Sequence, residues 1–190
     1  MMSHHQHGGY RVAAVVADGF EQVEFTEPKQ ALEQAGATVD VISLKPGEVQ
    51  GFNHFDRADR FPVTKTIDEA RAEDYDALLI PGGVHSPDQL RANDRVLEFV
   101  QAFDKTGKPM AVICHGPWVL VSSGVARGRN LTSYHTIKDD MMNAGANWEN
   151  RAPIVDRNLV TARSPKDIPQ FNDAMLKLFG LGEQAARRAA

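Results

Sequence analysis

Residues 110–118 read MAVICHGPW, and they place the single cysteine of this 190-residue chain between an apolar run and a Gly-Pro pair. The apolar run predicts a buried strand ending at Ile113, and Gly116-Pro117 is typical of the start of a helix. Ligands of open α/β sheets bind at the carboxyl ends of the strands. We therefore expect Cys114 to lie in a sharp strand-to-helix turn of the nucleophile-elbow type.

Two consequences follow for the thiol of Cys114. The helix N-terminus places partial positive charge near the sulfur, so the thiol pKa is expected to fall below about 8.5. His115 follows directly, and backbone N–H groups at the helix start can hold an oxyanion. The alternative is a buried structural thiol, because free cysteine is among the most buried residue types.

The rest of the chain alternates short apolar runs with helical patterns, which predicts a mostly parallel sheet with helices on both faces. Pro28 is expected to break or kink the first helix, and Gly36 to end it. Strands are predicted at 11–16, 38–43, 76–80 and 109–113, and helices at 20–35 and 94–107.

The second half continues this pattern more loosely. Residues 130–134 suggest a strand, 136–145 a short helix ended by Gly145, and 154–163 a hairpin turning at 156–158. The last helix is predicted at 165–179 with Ser164 as its N-cap, and 46–66 as loop with short hairpin pieces. This organisation predicts one α/β domain over 10–182, a disordered His-rich tail at 1–9 and a flexible tail at 183–190.

Composition excludes several functions. The formal charge of −4 gives no electrostatic reason to expect nucleic acid, and no apolar stretch reaches the ~20 residues of a membrane helix. One cysteine excludes an internal disulfide framework and favours a reducing, cytoplasmic compartment. Outside the His-rich tail no cluster has metal-ligand spacing, so neither a metal nor a cofactor is predicted.

Four ordered stretches resemble the ThiJ/PfpI family, in particular its branch of PfpI-like intracellular proteases and general stress proteins. They are DGFEQVEFTEP (18–28), LLIPGGVHSPDQLR (78–91), the segment that starts AVICHGPWVLVSSG (111–124), and IVDRNLVTARSPKDIPQF (154–171). The family belongs to the class I glutamine amidotransferase-like superfamily. The resemblance implies a single-domain, flavodoxin-like three-layer sandwich.

The resemblance also implies roles for particular residues. Cys114 matches the family nucleophile and His115 the residue after it. Glu24 matches an acid on the first helix whose protonated carboxyl lies beside the sulfur; desolvation beside an anion raises a carboxyl pKa. Asp88 matches an acid that orients the histidine from a neighbouring subunit, as in a triad. By sequence alone, Asp88 reads as a helix-cap or surface acid.

Other candidates carry less chemistry. Gly82 and Gly83 match a loop that, together with the His115 N–H, resembles an oxyanion hole. The residues near the pocket mouth are expected to serve packing or to lie on the surface rather than to take part in the chemistry. Glu21 and Glu27 are expected to be solvated. No role is assigned to His54. The pocket-mouth residues are His85, Trp118, Tyr134 and His135.

Two classes of function remain open at this stage. The first is a cysteine-dependent stress-defence enzyme: a peptidase, a glutathione-independent glyoxalase or a deglycase acting on a peptide or a small carbonyl compound. The second is a non-catalytic oxidative-stress sensor or chaperone in which Cys114 is oxidised. A homo-oligomer, dimer or hexamer, is expected if Asp88 acts in trans. The sequence argues against a glutaminase of the class I glutamine amidotransferases. Those enzymes use a downstream His-x-Glu pair, whereas His135, the one histidine after residue 115, is followed by Thr136 and Ile137.

Overall fold

The computed structural model describes residues 9–190, so almost all of the predicted N-terminal tail lies outside the described residues. Its centre is a seven-stranded sheet in the order β11-β12-β8-β7-β1-β3-β6, parallel except where β11 runs antiparallel to β12. The strands are β1 Arg11–Val15, β2 Phe20–Glu21, β3 Thr38–Ser43, β4 Glu48–Asn53, β5 Asp56–Pro62, β6 Lys65–Thr66, β7 Ala77–Ile80, β8 Met110–Ile113, β9 Asn130–Leu131, β10 Asn147–Trp148, β11 Ile154–Asp156 and β12 Leu159–Ala162.

Within residues 9–190, seven α-helices cover the sheet or extend from it. They are α1 Val23–Gln34, α2 His85–Arg91, α3 Asp94–Thr106, α4 Pro117–Ser122, α5 Lys138–Asn143, α6 Ile168–Leu178 and α7 Gly182–Ala189. Three short 3-10 helices lie at Ala72–Asp74, His135–Ile137 and Pro165–Asp167.

The central strands are buried on both faces, because their apolar side chains alternate between two cores. Leu78, Met110 and Val112 face the core that includes the apolar residues of α3 and α4. Leu79 and Ile113 face the opposite core, with residues of α1 and α6. The predicted α/β, flavodoxin-like three-layer sandwich is therefore confirmed, and it forms one domain.

A second sheet, of three strands, lies beside the carboxyl end of β1. Strand β2 pairs in parallel with β4, and β4 pairs antiparallel with β5 around residues 54 and 55. The hairpin expected within 46–66 is thus present, but β4 and β5 occupy most of the stretch that the sequence suggested to be loop. Its importance is that β2 fixes Glu21 immediately before α1.

Four local predictions differ from the structure. The helix expected at 20–35 begins only at Val23, because Phe20–Glu21 pair with β4 as a strand. Helix α1 continues through Pro28. The missing N–H of Pro28 removes only the hydrogen bond to the Glu24 carbonyl, and burial of the proline ring offsets that loss. The strand expected at 130–134 stops at Leu131, because the Thr132 N–H is bonded to the side chain of Thr161. The side chain of Ser164 makes no capping hydrogen bond.

The C-terminal segment 183–190, expected to be a flexible tail, lies largely in α7. This helix is exposed along most of its length, and Ala185 is partly buried against the core shared by α1 and α6. Among residues 9–190, no helix has the length and hydropathy needed to cross a bilayer.

The turn after β8 is too tightly packed for any side chain at position 116. A Cβ on Gly116 would lie 2.8 Å from Val112 Cγ1 and 2.9 Å from the carbonyl oxygens of both Ile113 and Ile80. Two of these atoms belong to the backbone of central strands, which cannot move without disturbing the sheet. Glycine is therefore required here by contact, although the backbone φ of −49° suits any residue.

We expect Gly116→Ala to lower the free energy of unfolding by about 1–3 kcal/mol through overpacking. Gly182→Ala is the matched control, because a Cβ there meets its nearest atom at an ordinary 3.7 Å. Chemical denaturation of the two variants measures the difference. Equal stabilities would show that the elbow tolerates a methyl group.

Candidate active site

Cys114 occupies a strained turn directly after β8. Its φ of +64° lies in the left-handed region, which costs a non-glycine residue of order 1 kcal/mol or more. Two backbone hydrogen bonds hold it there: its N–H donates to Ala162 O at 3.0 Å, and its C=O accepts from Tyr134 N at 2.8 Å. The predicted elbow conformation is present, and neighbouring segments fix it from both sides.

The Pro-Gly-Gly loop after β7 approaches the elbow so closely that only glycine fits. A Cβ on Gly82 would lie 2.6 Å from both Cys114 Cβ and Glu24 Oε1. Gly83 has a φ of +81°, and a Cβ there would meet the backbone of Gly19 and Glu21 at 2.6–2.7 Å. The loop, the elbow and the start of α1 therefore form one close-packed unit.

Glu24 is fully buried within this unit. Its Oε1 accepts the Gly82 N–H at 3.0 Å, while Oε2 has no hydrogen-bond partner among the described residues, and the carboxyl interacts with the Cys114 sulfur. Burial, and then the negative charge of Glu21, raise the pKa of Glu24 to about 8. Glu24 is accordingly protonated at neutral pH, in agreement with the resemblance.

The thiol pKa of Cys114 does not fall as the sequence suggested. Burial first, and the negative charge of Glu24 second, raise it well above its ordinary value, against the lowering effect of the Gly83 and His115 N–H groups. The helix start contributes little, because the Gly116 N–H is already bonded to Ile113 O and Pro117 has no N–H. The expectation of a lowered pKa overlooked the cost of desolvating the sulfur.

His115 supplies a neutral imidazole next to the sulfur. Its Nδ1 lies 3.3 Å from Cys114 Sγ, and burial, with a smaller effect of His135, lowers the His115 pKa to about 4. The ring stacks on Tyr134 at 4.8 Å and meets Trp118 edge-on at 5.2 Å. The sequence suggested that Trp118 and Tyr134 serve packing rather than chemistry, and in the structure they enclose the His115 imidazole.

The N–H groups of the Pro-Gly-Gly loop and of the elbow interact with two acidic groups, the Glu24 carboxyl and the Cys114 thiol. The Gly82 N–H is bonded to Glu24, the His115 N–H interacts with the Cys114 sulfur, and the Gly83 N–H interacts with both groups. Gly82 therefore shapes the loop and anchors the carboxyl. The N–H groups of Gly83 and His115 lower the pKa of Cys114, and their role as an oxyanion hole stays a prediction.

The remaining predicted residues lie around this centre. Asp88 is exposed on α2 and makes no hydrogen bond to His115 within residues 9–190, so its role in trans stays a prediction. His85 and His135 are exposed, as is Glu27. Glu21, expected to be solvated, is only 7% exposed, because β2 turns it inward and its carboxylate accepts the His54 N–H at 3.1 Å.

No group of three or more His, Cys, Asp or Glu side chains within residues 9–190 is placed to hold a metal ion. The site is instead a compact arrangement of a thiol, a protonated carboxyl, a neutral imidazole and two N–H donors. Such a set can support addition of sulfur to a carbonyl carbon, proton donation to the resulting oxyanion and proton abstraction by the imidazole.

Residues 10–178 match the DJ-1/PfpI family. The putative cysteine protease YraA of Bacillus subtilis (strain 168) is 42% identical over 168 residues, which are 88% of this chain and 97% of that protein. Protein/nucleic acid deglycase 2 of Escherichia coli (strain K12) is 40% identical over 171 residues, 90% and 98% of the two chains. A solved two-domain protein of Anabaena variabilis, with DJ-1/ThiJ/PfpI-like and ferritin-like domains, superposes with a TM-score of 0.85 at 37% identity, covering 91% of this chain and 49% of that one.

We expect Glu24→Gln to shift the pH midpoint of Cys114 alkylation downward by about one unit or more. The substitution removes the carboxylate charge that raises the thiol pKa, while the amide oxygen can still accept the Gly82 N–H. The single cysteine makes iodoacetamide labelling specific. Glu27→Gln, exposed one turn further along α1, is the control and should leave the midpoint unchanged; an upward shift for Glu24→Gln would contradict the electrostatics described here.

Proposed function

The chain belongs to the DJ-1/PfpI family, and we propose that it is a stress-defence enzyme whose Cys114 attacks small electrophilic carbonyl compounds. One observation carries the proposal. The sulfur lies 3.3 Å from a histidine that is neutral at physiological pH, and it interacts with a carboxyl that still holds its proton there. The sulfur therefore lies beside an unprotonated base and a protonated acid, the two protonation states that general acid–base chemistry at a carbonyl needs.

The first step is addition of the sulfur to an aldehyde carbon. The reacting form is the Cys114 thiolate beside protonated Glu24, the thiol proton having passed to water. The carbon–sulfur bond forms as the carbonyl π bond breaks, and the oxygen takes the proton of Glu24 to give a hemithioacetal. The N–H groups of Gly83 and His115 stabilise the oxyanion before that proton arrives. This addition is the first step of glyoxalase chemistry.

For a 2-oxoaldehyde the reaction closes without a cofactor. His115 removes the hydrogen of the former aldehyde carbon as a proton, and the proton returns to the neighbouring carbon. The first carbon is thereby oxidised and the second reduced, which leaves a thioester of a 2-hydroxy acid on Cys114. Water then cleaves the thioester, releasing the hydroxy acid and the thiol, so that substrate plus water equals product.

Accessibility favours a small substrate over a peptide. Cys114 is 6% and His115 7% exposed, whereas a protease must admit an extended chain on both sides of the scissile bond. The relative called a deglycase is consistent with carbonyl chemistry, and the relative called a putative cysteine protease shares the thiol-dependent class. We therefore place peptide hydrolysis second.

Two parts of the proposal concern the surroundings of the site. Asp88 is exposed on α2, and we assign it to orient His115 of a second copy, which makes a homo-oligomer part of the proposal. The cytoplasm, which keeps a lone thiol reduced, is the proposed compartment.

We expect Cys114→Ser to abolish conversion of methylglyoxal to lactate, and His115→Asn to lower kcat about a hundredfold or more. The second variant should still be alkylated at Cys114, which separates loss of the base from loss of the nucleophile. Turnover is measured by lactate formation, with Glu27→Gln as the control. A wild-type protein that oxidises at Cys114 without any carbonyl turnover would favour the sensor or chaperone alternative.

A further inference from the structure

Trp118 is an aromatic side chain at the start of α4 that touches the proposed base. Its indole meets the His115 imidazole edge-on, with 5.2 Å between the ring centroids, and Tyr134 stacks on the same imidazole at 4.8 Å. Within residues 9–190, the imidazole makes no hydrogen bond except its contact with Cys114 Sγ. The orientation of the ring in a single protomer therefore depends on its aromatic neighbours.

Trp118 is held in turn by two charged side chains from neighbouring helices. Its Nε1–H donates to Asp140 Oδ2 on α5 at 2.8 Å. The Arg91 guanidinium of α2 lies over the indole, with Cζ 5.2 Å from the ring centroid, and Arg91 Nε donates to Ser122 Oγ of α4 at 2.9 Å. A hydrogen bond to a carboxylate is about twice as strong as one between neutral groups, and indole is the side-chain ring that attracts a cation best. The indole is therefore fixed from both α2 and α5.

The bond to the indole distinguishes Asp140 from the acid beside it. Asp139 and Asp140 are adjacent, both are exposed, and both lie in the first turn of α5. Negative charge in the first turn stabilises a helix, so that benefit is common to the two residues. Of the two, Asp140 accepts the indole N–H. Asp140 is thereby connected, through Trp118, to the imidazole of His115.

We propose that Asp140 is a positioning residue, which acts through the Trp118 indole to keep the His115 imidazole directed at the sulfur of the elbow. A ring free to turn would lose the 3.3 Å approach of its Nδ1 to the sulfur, and an error of about 1 Å in such a position can cost about a hundredfold in rate. Asp140 is thus an acid of the same chain that serves the histidine, whereas Asp88 is assigned to do so from a second copy.

The inference rests on the proposed function in one respect, namely that His115 acts as the base. The state of the ring can be measured without any substrate, by following the pH titration of His115 by NMR in the whole protein. Burial is the main cause that lowers the His115 pKa to about 4, so a loosened ring that meets water should have a higher pKa. The other ionisable side chains beside the ring, those of Cys114, Tyr134 and His135, are unaltered in the variants below.

The direction of this shift separates two ways in which Asp140 could act on His115. An anion favours the protonated imidazole, so loss of the Asp140 charge by itself would lower the pKa of His115. Loss of the indole's anchor exposes the imidazole to water and raises the same pKa. A rise therefore identifies positioning, and a fall identifies a remote charge.

We expect Asp140→Ala to lower kcat for methylglyoxal about fivefold to twentyfold, with KM changed less than about twofold, and to raise the pKa of His115 by about half a unit to one unit. The low-pH limb of the kcat profile should move to higher pH by a similar amount, because the base must be unprotonated. Asp139→Ala is the matched control, since it removes an exposed acid from the same first turn, and it should change none of these quantities. Thermal unfolding verifies that both variants are folded.

The double variant Trp118→Phe/Asp140→Ala tests whether Asp140 acts through the indole. Phenylalanine keeps a ring at position 118 but has no N–H, so Trp118→Phe alone should reproduce the effects of Asp140→Ala. The double variant should then be no worse than either single variant, because the same hydrogen bond is lost only once. Asp140→Asn should recover most of the lost kcat, since its amide oxygen can still accept the indole N–H.

Three results would overturn the inference: an Asp140→Ala variant that behaves as Asp139→Ala does, a His115 pKa that is unchanged or lower, or losses that multiply in the double variant. The first leaves Asp140 only its effect on α5, the second denies that it positions the imidazole, and the third makes Trp118 and Asp140 independent. Absence of methylglyoxal turnover by the wild-type protein together with the expected rise of the His115 pKa would refute the proposed function and leave the positioning role of Asp140 standing.

Discussion

The site depends on one close approach, that of the Pro-Gly-Gly loop to the elbow. The Gly82 peptide passes where a Cβ would lie 2.6 Å from both the Cys114 Cβ and the Glu24 carboxyl, and its two hydrogen bonds reach Glu24 and Glu21. Because interiors are close-packed, a methyl group here would separate three elements at once. The geometry of the nucleophile, the acid and the donors all follows from that contact.

Burial in this unit has opposing effects on reactivity. It raises the pKa of Cys114 and so reduces the amount of thiolate. It also raises the pKa of Glu24 and lowers that of His115, which keeps one group protonated and the other unprotonated at neutral pH. The protein thus holds a protonated acid and an unprotonated base beside the sulfur, and the N–H groups of Gly83 and His115, rather than a strong helix dipole, favour the thiolate.

Local sequence signals predicted the parts of the fold that depend on local physics. The apolar runs of β1, β3, β7 and β8 are strands because both of their faces are buried, and a continuous β-branched pattern reports that directly. Helix α3 was predicted from the regular spacing of its apolar residues along one face. The break predicted at Pro28 is absent, because burial of the proline ring offsets the loss of one N–H. The strand predicted through residues 132–134 is absent, because side-chain hydrogen bonds replace the backbone ladder there.

The sequence by itself determined the fold class, the elbow cysteine with its adjacent histidine and, through the family resemblance, Glu24 as the acidic residue beside the sulfur. Only the tertiary structure decided the electrostatics: that Glu21 is buried, that Gly82 serves the carboxyl rather than the oxyanion, and that the thiol pKa rises. The physical reason is that strand and helix patterns report short-range periodicity. A pKa reports desolvation and charges brought together from β2, α1, the loop after β7 and the elbow, which lie up to about ninety residues apart in the chain.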